Sequence, residues 1–177
     1  MVTAITRNPE KIASLPKVTA KKSDVSDKNG LAALLRGHDG VVSAVHFASS
    51  DAKTLIEAVR ASGVKRYLVV GGAGSLEVAP GKRLVDQPDF PAAYKAEALK
   101  GAEFLDLLRS EKELDWTFLS PSALFVEGER TGKFRLGKDA LLTGDKGSSI
   151  SFEDYAIALV DEIEKPAHSR QRFTVGY

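Results

Sequence analysis

At 177 residues with 43% apolar content, the chain can bury one good core and reads as a single domain over 1-177. Its 25 basic and 24 acidic residues nearly cancel, which removes the long-range field that draws a protein to nucleic acid or an anionic membrane. The lack of cysteine excludes disulfides, thiolate catalysis and cysteine metal sites and fits a reducing cytoplasm, while apolar runs such as Tyr67 to Val70 are far too short to span a bilayer.

Val2 to Thr6 is a β-branched run that stops at Arg7-Asn8-Pro9, so a strand gives way to a turn. Glu10 to Leu15 reads as a short helical piece closed by Pro16, and Val18 to Lys22 as a second strand. Ser26 or Asp27 can cap a helix over Lys28 to Arg36, with Leu31, Leu34 and Leu35 on one face. Beyond the glycine-bounded loop at 37–40, Val41 to Phe47 has the unbroken apolar character of a strand buried on both faces.

Ser50 or Asp51 caps the next helix, which runs through Ala61 on an apolar stripe of Leu55, Ile56 and Val59 and closes at Ser62-Gly63. Arg66 to Val70 is another buried strand, ending at Gly71-Gly72-Ala73-Gly74-Ser75. An irregular stretch with Pro80, Pro88 and Pro91 leads into the longest helix, Ala93 to Lys112, with Leu99, Phe104, Leu107 and Leu108 expected to face inward. Asp115 to Leu119 is a strand broken by Pro121.

Turns and a small hairpin are expected between Gly128 and Gly147, with Lys133 to Leu136 and Ala140 to Thr143 as its arms. Ser151 and Asp154 have capping-box spacing for a helix over Phe152 to Glu164; Pro166 ends it, and Arg172 to Val175 is the last strand. Strand and helix alternate throughout, the pattern of a parallel sheet covered on both faces and built from right-handed crossovers.

Five motifs stand out: Thr-Arg-Asn-Pro-Glu-Lys at 6–11, Asp24-Val25, Val69 to Leu76, Leu114 to Pro121 and Glu129 to Gly137. Together they resemble the NAD(P)-binding, NmrA-like branch of the atypical short-chain dehydrogenases, which includes NADH-flavin reductase-like and NAD-dependent epimerase/dehydratase-like proteins. The likeness runs from Val2 to Tyr177. It implies an α/β, Rossmann-like doubly wound parallel sheet, one NAD(P)-binding domain with a small substrate-side hairpin region around 128-147.

Members of that branch begin with a strand and a Gly-x-x-Gly-x-x-Gly turn, whose backbone N–H groups hold the dinucleotide's pyrophosphate. This sequence opens on what resembles the second strand. The sheet is therefore expected to be N-terminally truncated, with the first βα unit absent. In the family that strand lies between those matched by Val2 to Thr6 and Val41 to Phe47. Two strand edges should then face a gap, each buried unpaired group costing about 1–3 kcal/mol against a total stability of about 5–15 kcal/mol. Three resolutions are open: a longer natural chain, which is favoured; a strand supplied by a second copy; or a sheet closed up in a rearranged order.

The resemblance implies NADP or NAD as cofactor. Arg7 stands at a strand's C-terminal end, where the adenosine ribose lies in such a sheet. Its guanidinium could grip a 2′-phosphate, which favours NADP, or could simply be solvated. Asn8 could help hold that phosphate or make an Asx turn before Pro9. Asp24 and Val25 match the family's adenine contacts, although Asp24 is also an ordinary helix-capping residue. Ser43, Ala44 and Val45 are small enough for backbone to pass under the dinucleotide, as any packed strand would be. Gly71, Gly72 and Ala73 could admit a nicotinamide ring or serve only a tight turn. Pro121 and Ser122 resemble the segment along the nicotinamide ribose, with Ser120 where an arginine is more usual.

Tyr94, Ser75 and Lys95 are the catalytic candidates. Tyr94 opens the long helix as the superfamily's active-site tyrosine does, but the lysine expected one turn on is Ala98, and neither Lys95 nor Lys100 shares its face. Ser75 comes late after the strand that normally presents a catalytic hydroxyl. His46, the histidine near this edge, could polarise a substrate carbonyl, although a lone histidine is more often structural. The basic stretch Arg130 to Lys138 lines the substrate side in the family and could take an anionic or flavin-phosphate substrate, although charged hairpin arms are usually just solvated. His38, His46 and His168 meet no metal-ligand spacing.

The expected function is NAD(P)H-dependent reduction of a flavin, quinone or small carbonyl in the cytoplasm. The alternative is an NmrA-like sensor that reads the NADP(H) state without turnover. A third reading is a chain that binds no dinucleotide, because the phosphate loop is missing. The expected partner is a small-molecule substrate, with no nucleic acid and no membrane, and a homo-oligomer remains open.

Overall fold

The computed structural model describes residues 1–177. Strand β1 (Val2–Thr6) leads through a 3-10 turn at Pro9–Lys11 to β2 (Val18–Lys22), α1 (Lys28–Leu35) and β3 (Gly40–Ser43). Then come α2 (Ala52–Ser62), β4 (Arg66–Val70), a ribbon of β5 (Glu77–Ala79) and β6 (Lys82–Arg83), α3 (Ala92–Ser110) and β7 (Asp115–Pro121). The chain finishes with β8 (Leu124–Val126), β9 (Arg135–Gly137), β10 (Ser149–Ser151), α4 (Phe152–Glu164) and β11 (Gln171–Gly176).

The local signals work as expected. Asp27 caps α1 by accepting the Gly30 N–H, and Asp51 caps α2 by accepting that of Thr54. The Ser151 hydroxyl caps α4 through the Asp154 N–H. Gly63, left-handed at φ 84°, closes α2.

The main sheet runs in the order β3-β4-β7-β11-β9, with β9 antiparallel at one edge and the other four strands parallel. Its central strands are covered on both sides, which is why Tyr67, Leu68 and Val69 are all buried. Tyr67, Val69, Trp116 and Phe118 face a core filled by Leu31 and Leu35 of α1, Leu55 and Val59 of α2, and Phe104 and Leu108 of α3. Leu119, Phe173 and Val175 face the other way, onto Tyr155 and Ala158 of α4. This is a doubly wound α/β sheet. Because α4 lies on the face opposite α2 and α3, the step from β7 to β11 does not repeat their crossover hand; β8, β9 and β10 intervene. No helix is long and apolar enough to cross a membrane.

β1 and β2 pair only with each other. Between β1 and β3 lies a cleft of about 610 Å³, walled by apolar side chains that include Val2, Ile5, Val25, Val42 and Val45. The expected gap is thus present, and the sheet has not closed up in a rearranged order. Ile5 and Val25 still pack on the main core, and His38 Nε2 lies 2.8 Å from Thr3 Oγ1, so the outlying pair stays attached.

Other expectations need correction. The hairpin arms do not pair with each other: β9 joins β11, while Ala140 bridges Glu77. The apolar run from Val41 stops being a strand at Ser43, because the Phe47 and Ala48 N–H groups turn to the Glu97 carboxylate. Leu99 faces solvent, and Gly101, Ala102 and Leu105 take the inner face of α3 with Phe104 and Leu108. β7 continues through Pro121, which stands opposite Val175 and ends the strand instead of breaking it earlier.

Candidate functional site

Parallel pairing brings the C-terminal ends of the strands to one edge, where α/β sheets bind their ligands. The sequence candidates gather there in two groups, one on each side of the cleft.

Arg7, Asn8 and Asp24 follow β1 and β2 and are exposed. Asp24 Oδ1 accepts both the Ser26 N–H at 2.9 Å and the Ser26 hydroxyl at 2.7 Å. Those two bonds hold its carboxyl below the usual range, with a smaller contribution from the Arg7 charge. Its other oxygen, Oδ2, has no partner within the chain. Asn8 gives its N–H to Thr6 Oγ1 at 3.2 Å. Val25 is half-buried beneath this group and lines the cleft.

Across the cleft, Ser43 is buried while Ala44 is exposed and Val45 half-buried. The neighbouring glycines differ in kind. A Cβ on Gly71 would enter the Phe118 ring, and one on Gly74 would lie 2.7 Å from Ala98 Cβ. A Cβ on Gly72 would meet nothing closer than Phe47 at 3.8 Å. Packing therefore requires glycine at 71 and 74 but not at 72, where the small residue leaves the strand end open to a flat ring. Ala73 accepts the Leu76 N–H and closes the turn. Pro121 and Ser122 are buried, and the Ser122 hydroxyl donates to the Val175 carbonyl at 3.1 Å.

The catalytic candidates do not converge. Tyr94 is 68% exposed at the start of α3. Lys95 instead contributes its charge to Asp86, whose carboxyl is held low first by Arg83. The Ser75 hydroxyl turns inward to the buried Arg172 guanidinium at 3.3 Å, which also reaches the Ser120 hydroxyl at 3.4 Å and pairs with Asp139.

Three residues matter that the sequence reading passed over. Glu97 of α3 anchors the loop after β3, accepting the Phe47 and Ala48 N–H groups at 2.7 Å each. Phe47 fixes the same loop from below, against Phe104 and Phe118. Asp154, expected only as a capping charge, is fully buried and holds the basic stretch: it accepts the Thr131 hydroxyl, the Gly132 N–H at 2.8 Å and the Tyr177 hydroxyl at 2.9 Å. Each pairing spans at least 22 residues in sequence, beyond any local motif.

The charged and polar groups of Arg7 and Asp24 on one side and the open face of Gly72 on the other could take the two ends of a dinucleotide, whereas the cleft between them is walled by apolar groups. The NAD(P)H-binding family profile matches residues 1–166. Among solved structures, a Burkholderia pseudomallei candidate exported protein is 48% identical with a TM-score of 0.88, over 99% of this chain and 87% of its own. A Bacteroides thetaiotaomicron candidate epimerase is 43% identical with a TM-score of 0.93, over 99% of this chain and 84% of its own. A Streptococcus pneumoniae candidate NADH-flavin reductase is 37% identical with a TM-score of 0.81, over 98% of this chain and 86% of its own.

Proposed function

The chain belongs to the NAD(P)H-binding family, and from that premise we propose that it is an oxidoreductase that reduces a flavin, quinone or small carbonyl. The observation that carries this reading is Gly72, a glycine that the protein's own packing does not need, at the strand end where a ring must approach closely. When bound, the nicotinamide supplies a hydride; the chain's task is to orient it and exclude water. Arg7 holds a 2′-phosphate, which favours NADP, and Asp24 Oδ2 accepts from the adenine amino group. Ala44, Val45, Pro121 and Ser122 form the floor and wall of the nicotinamide side. The likeness to a candidate NADH-flavin reductase supports a flavin acceptor. The absence of cysteine supports a cytoplasmic site of action.

A second reading is a sensor of the NADP(H) state. It draws on Ala98, which stands packed against Gly74 where a catalytic lysine would be needed. Calorimetric titration with NADPH and NADH, followed by oxidation assays with flavin, quinone and carbonyl acceptors, separates the two. Binding with turnover supports the oxidoreductase, and binding without turnover across the panel supports the sensor. No binding of either nucleotide removes both.

A further inference from the structure

Resting on the oxidoreductase reading, we propose that His46 is the proton-donating residue of the site and that Glu97 is its positioning residue. His46 follows Val45 at the C-terminal edge, and its side chain is 88% exposed. Its backbone is nevertheless held from several directions. The Ser50 hydroxyl donates to its carbonyl at 2.8 Å, and Glu97 takes the next two N–H groups. Phe47 is buried between Gly101, Phe104 and Phe118. The chain thus fixes the loop and leaves the imidazole outside the packing.

Glu97 Oε1 also lies 3.5 Å from His46 Nδ1 and is the one charged group paired with the ring. Nε2 has no hydrogen-bond partner within the chain. Glu97 stands on the same face of α3 as Tyr94, one helical turn along, and Ala98 beside it supplies no cation. The Ser75 hydroxyl is taken up by Arg172, and of the groups left exposed at this edge, Tyr94 and Lys95 among them, His46 is the one paired with a carboxylate. Imidazole is also the side chain best suited to exchange a proton near neutral pH.

In the proposed step, His46 Nε2–H gives its proton to the acceptor oxygen or nitrogen that gains negative charge as the hydride arrives. The acceptor gains two electrons and two hydrogens, and neutral His46 then takes a proton from water. The Glu97 carboxylate steadies the charged imidazolium before the transfer.

The test follows NADPH oxidation with flavin mononucleotide and menadione across pH 5–9 for the wild type, His46→Gln and Glu97→Gln, together with nitrogen NMR of the His46 ring. His46→Gln should lower kcat by about a hundredfold, remove the fall in rate at high pH and leave NADPH affinity unchanged. Glu97→Gln should lower kcat, leave the pH of that fall in place for His46 to set, and shift the His46 Nδ1 resonance, because the atom facing Nδ1 changes. An active wild type whose kcat and pH profile survive His46→Gln overturns the proposal, and so does a His46 Nδ1 resonance indifferent to Glu97→Gln. A wild type inactive with both acceptors removes the oxidoreductase reading itself, a failure distinguished by the silence of the unmodified protein.

Discussion

Ala98 of α3 stands against Gly74 so closely that a Cβ added to the glycine would lie 2.7 Å from the alanine's own. The first turns of the longest helix therefore rest on the glycine-rich turn after β4, and no long side chain fits between them. Ala98→Lys, which would rebuild the Tyr-x-x-x-Lys spacing, should push helix and turn apart. The expected cost is about 1–3 kcal/mol, read from the urea midpoint. Stability equal to the wild type would mean that the turn yields, and the lysine could then be tested for a gain in turnover.

Gly71 and Gly72 should part company when each receives one methyl group. At Gly72 the nearest foreign atom would be 3.8 Å away, so Gly72→Ala should change stability by no more than about 0.5 kcal/mol. At Gly71 the new carbon would fall within the Phe118 ring, so Gly71→Ala should cost several times more. NADPH titration completes the comparison. Gly72→Ala should weaken binding in a protein that remains fully folded, and unchanged affinity would remove Gly72 from the cofactor side.

What the sequence showed best was what depends on neighbours along the chain. Asp27, Asp51 and Ser151 cap the helices as their local patterns indicate, and the strand expected over Arg66 to Val70 has those bounds. Features that depend on distant partners follow no such local pattern. The arms expected to form a hairpin are drawn instead to β11 and to Glu77, partners that periodicity cannot reveal. Leu99 is apolar yet exposed, because close approach at Gly74 and Gly101 sets the rotation of α3. That Arg7, Asp24, Ser43 and Gly71 lie at strand ends on one edge of the sheet follows from their place in the alternating pattern. Glu97 and Arg172 act across long sequence separations and left no local signal, and the capping-box spacing of Asp154 says nothing of its hold on Thr131 and Gly132.

At the opposite end of the sheet, Arg66 should behave as half of a buried pair. Its guanidinium meets Glu162 Oε1 at 2.7 Å, and Glu162 also contacts His168 Nδ1 at 2.8 Å. Arg66→Met would leave the Glu162 carboxylate with less compensation, at an expected cost of about 3 kcal/mol. Adding Glu162→Gln should recover part of that loss, as a double-mutant cycle would register. Purely additive losses would show that the two side chains are not coupled.

Asp154 should make the basic stretch sensitive to acid. Burial alone would raise its pKa, but hydrogen bonds from Thr131, Gly132 and Tyr177 outweigh burial and hold the carboxyl below its usual value. A carboxyl depressed in the folded state adds stability that is fully present above its unfolded value, near pH 4. That stability is lost as the pH falls through the folded value. Thermal unfolding of the wild type should therefore weaken between neutral pH and about pH 3 more steeply than that of Asp154→Asn. The variant should start about 1–3 kcal/mol less stable at neutral pH, because its amide cannot accept every bond the carboxylate does. Limited proteolysis should cut the variant first between Glu129 and Lys133, the stretch that Asp154 holds down. Parallel acid profiles for the two proteins would mean that the carboxylate does not hold this stretch.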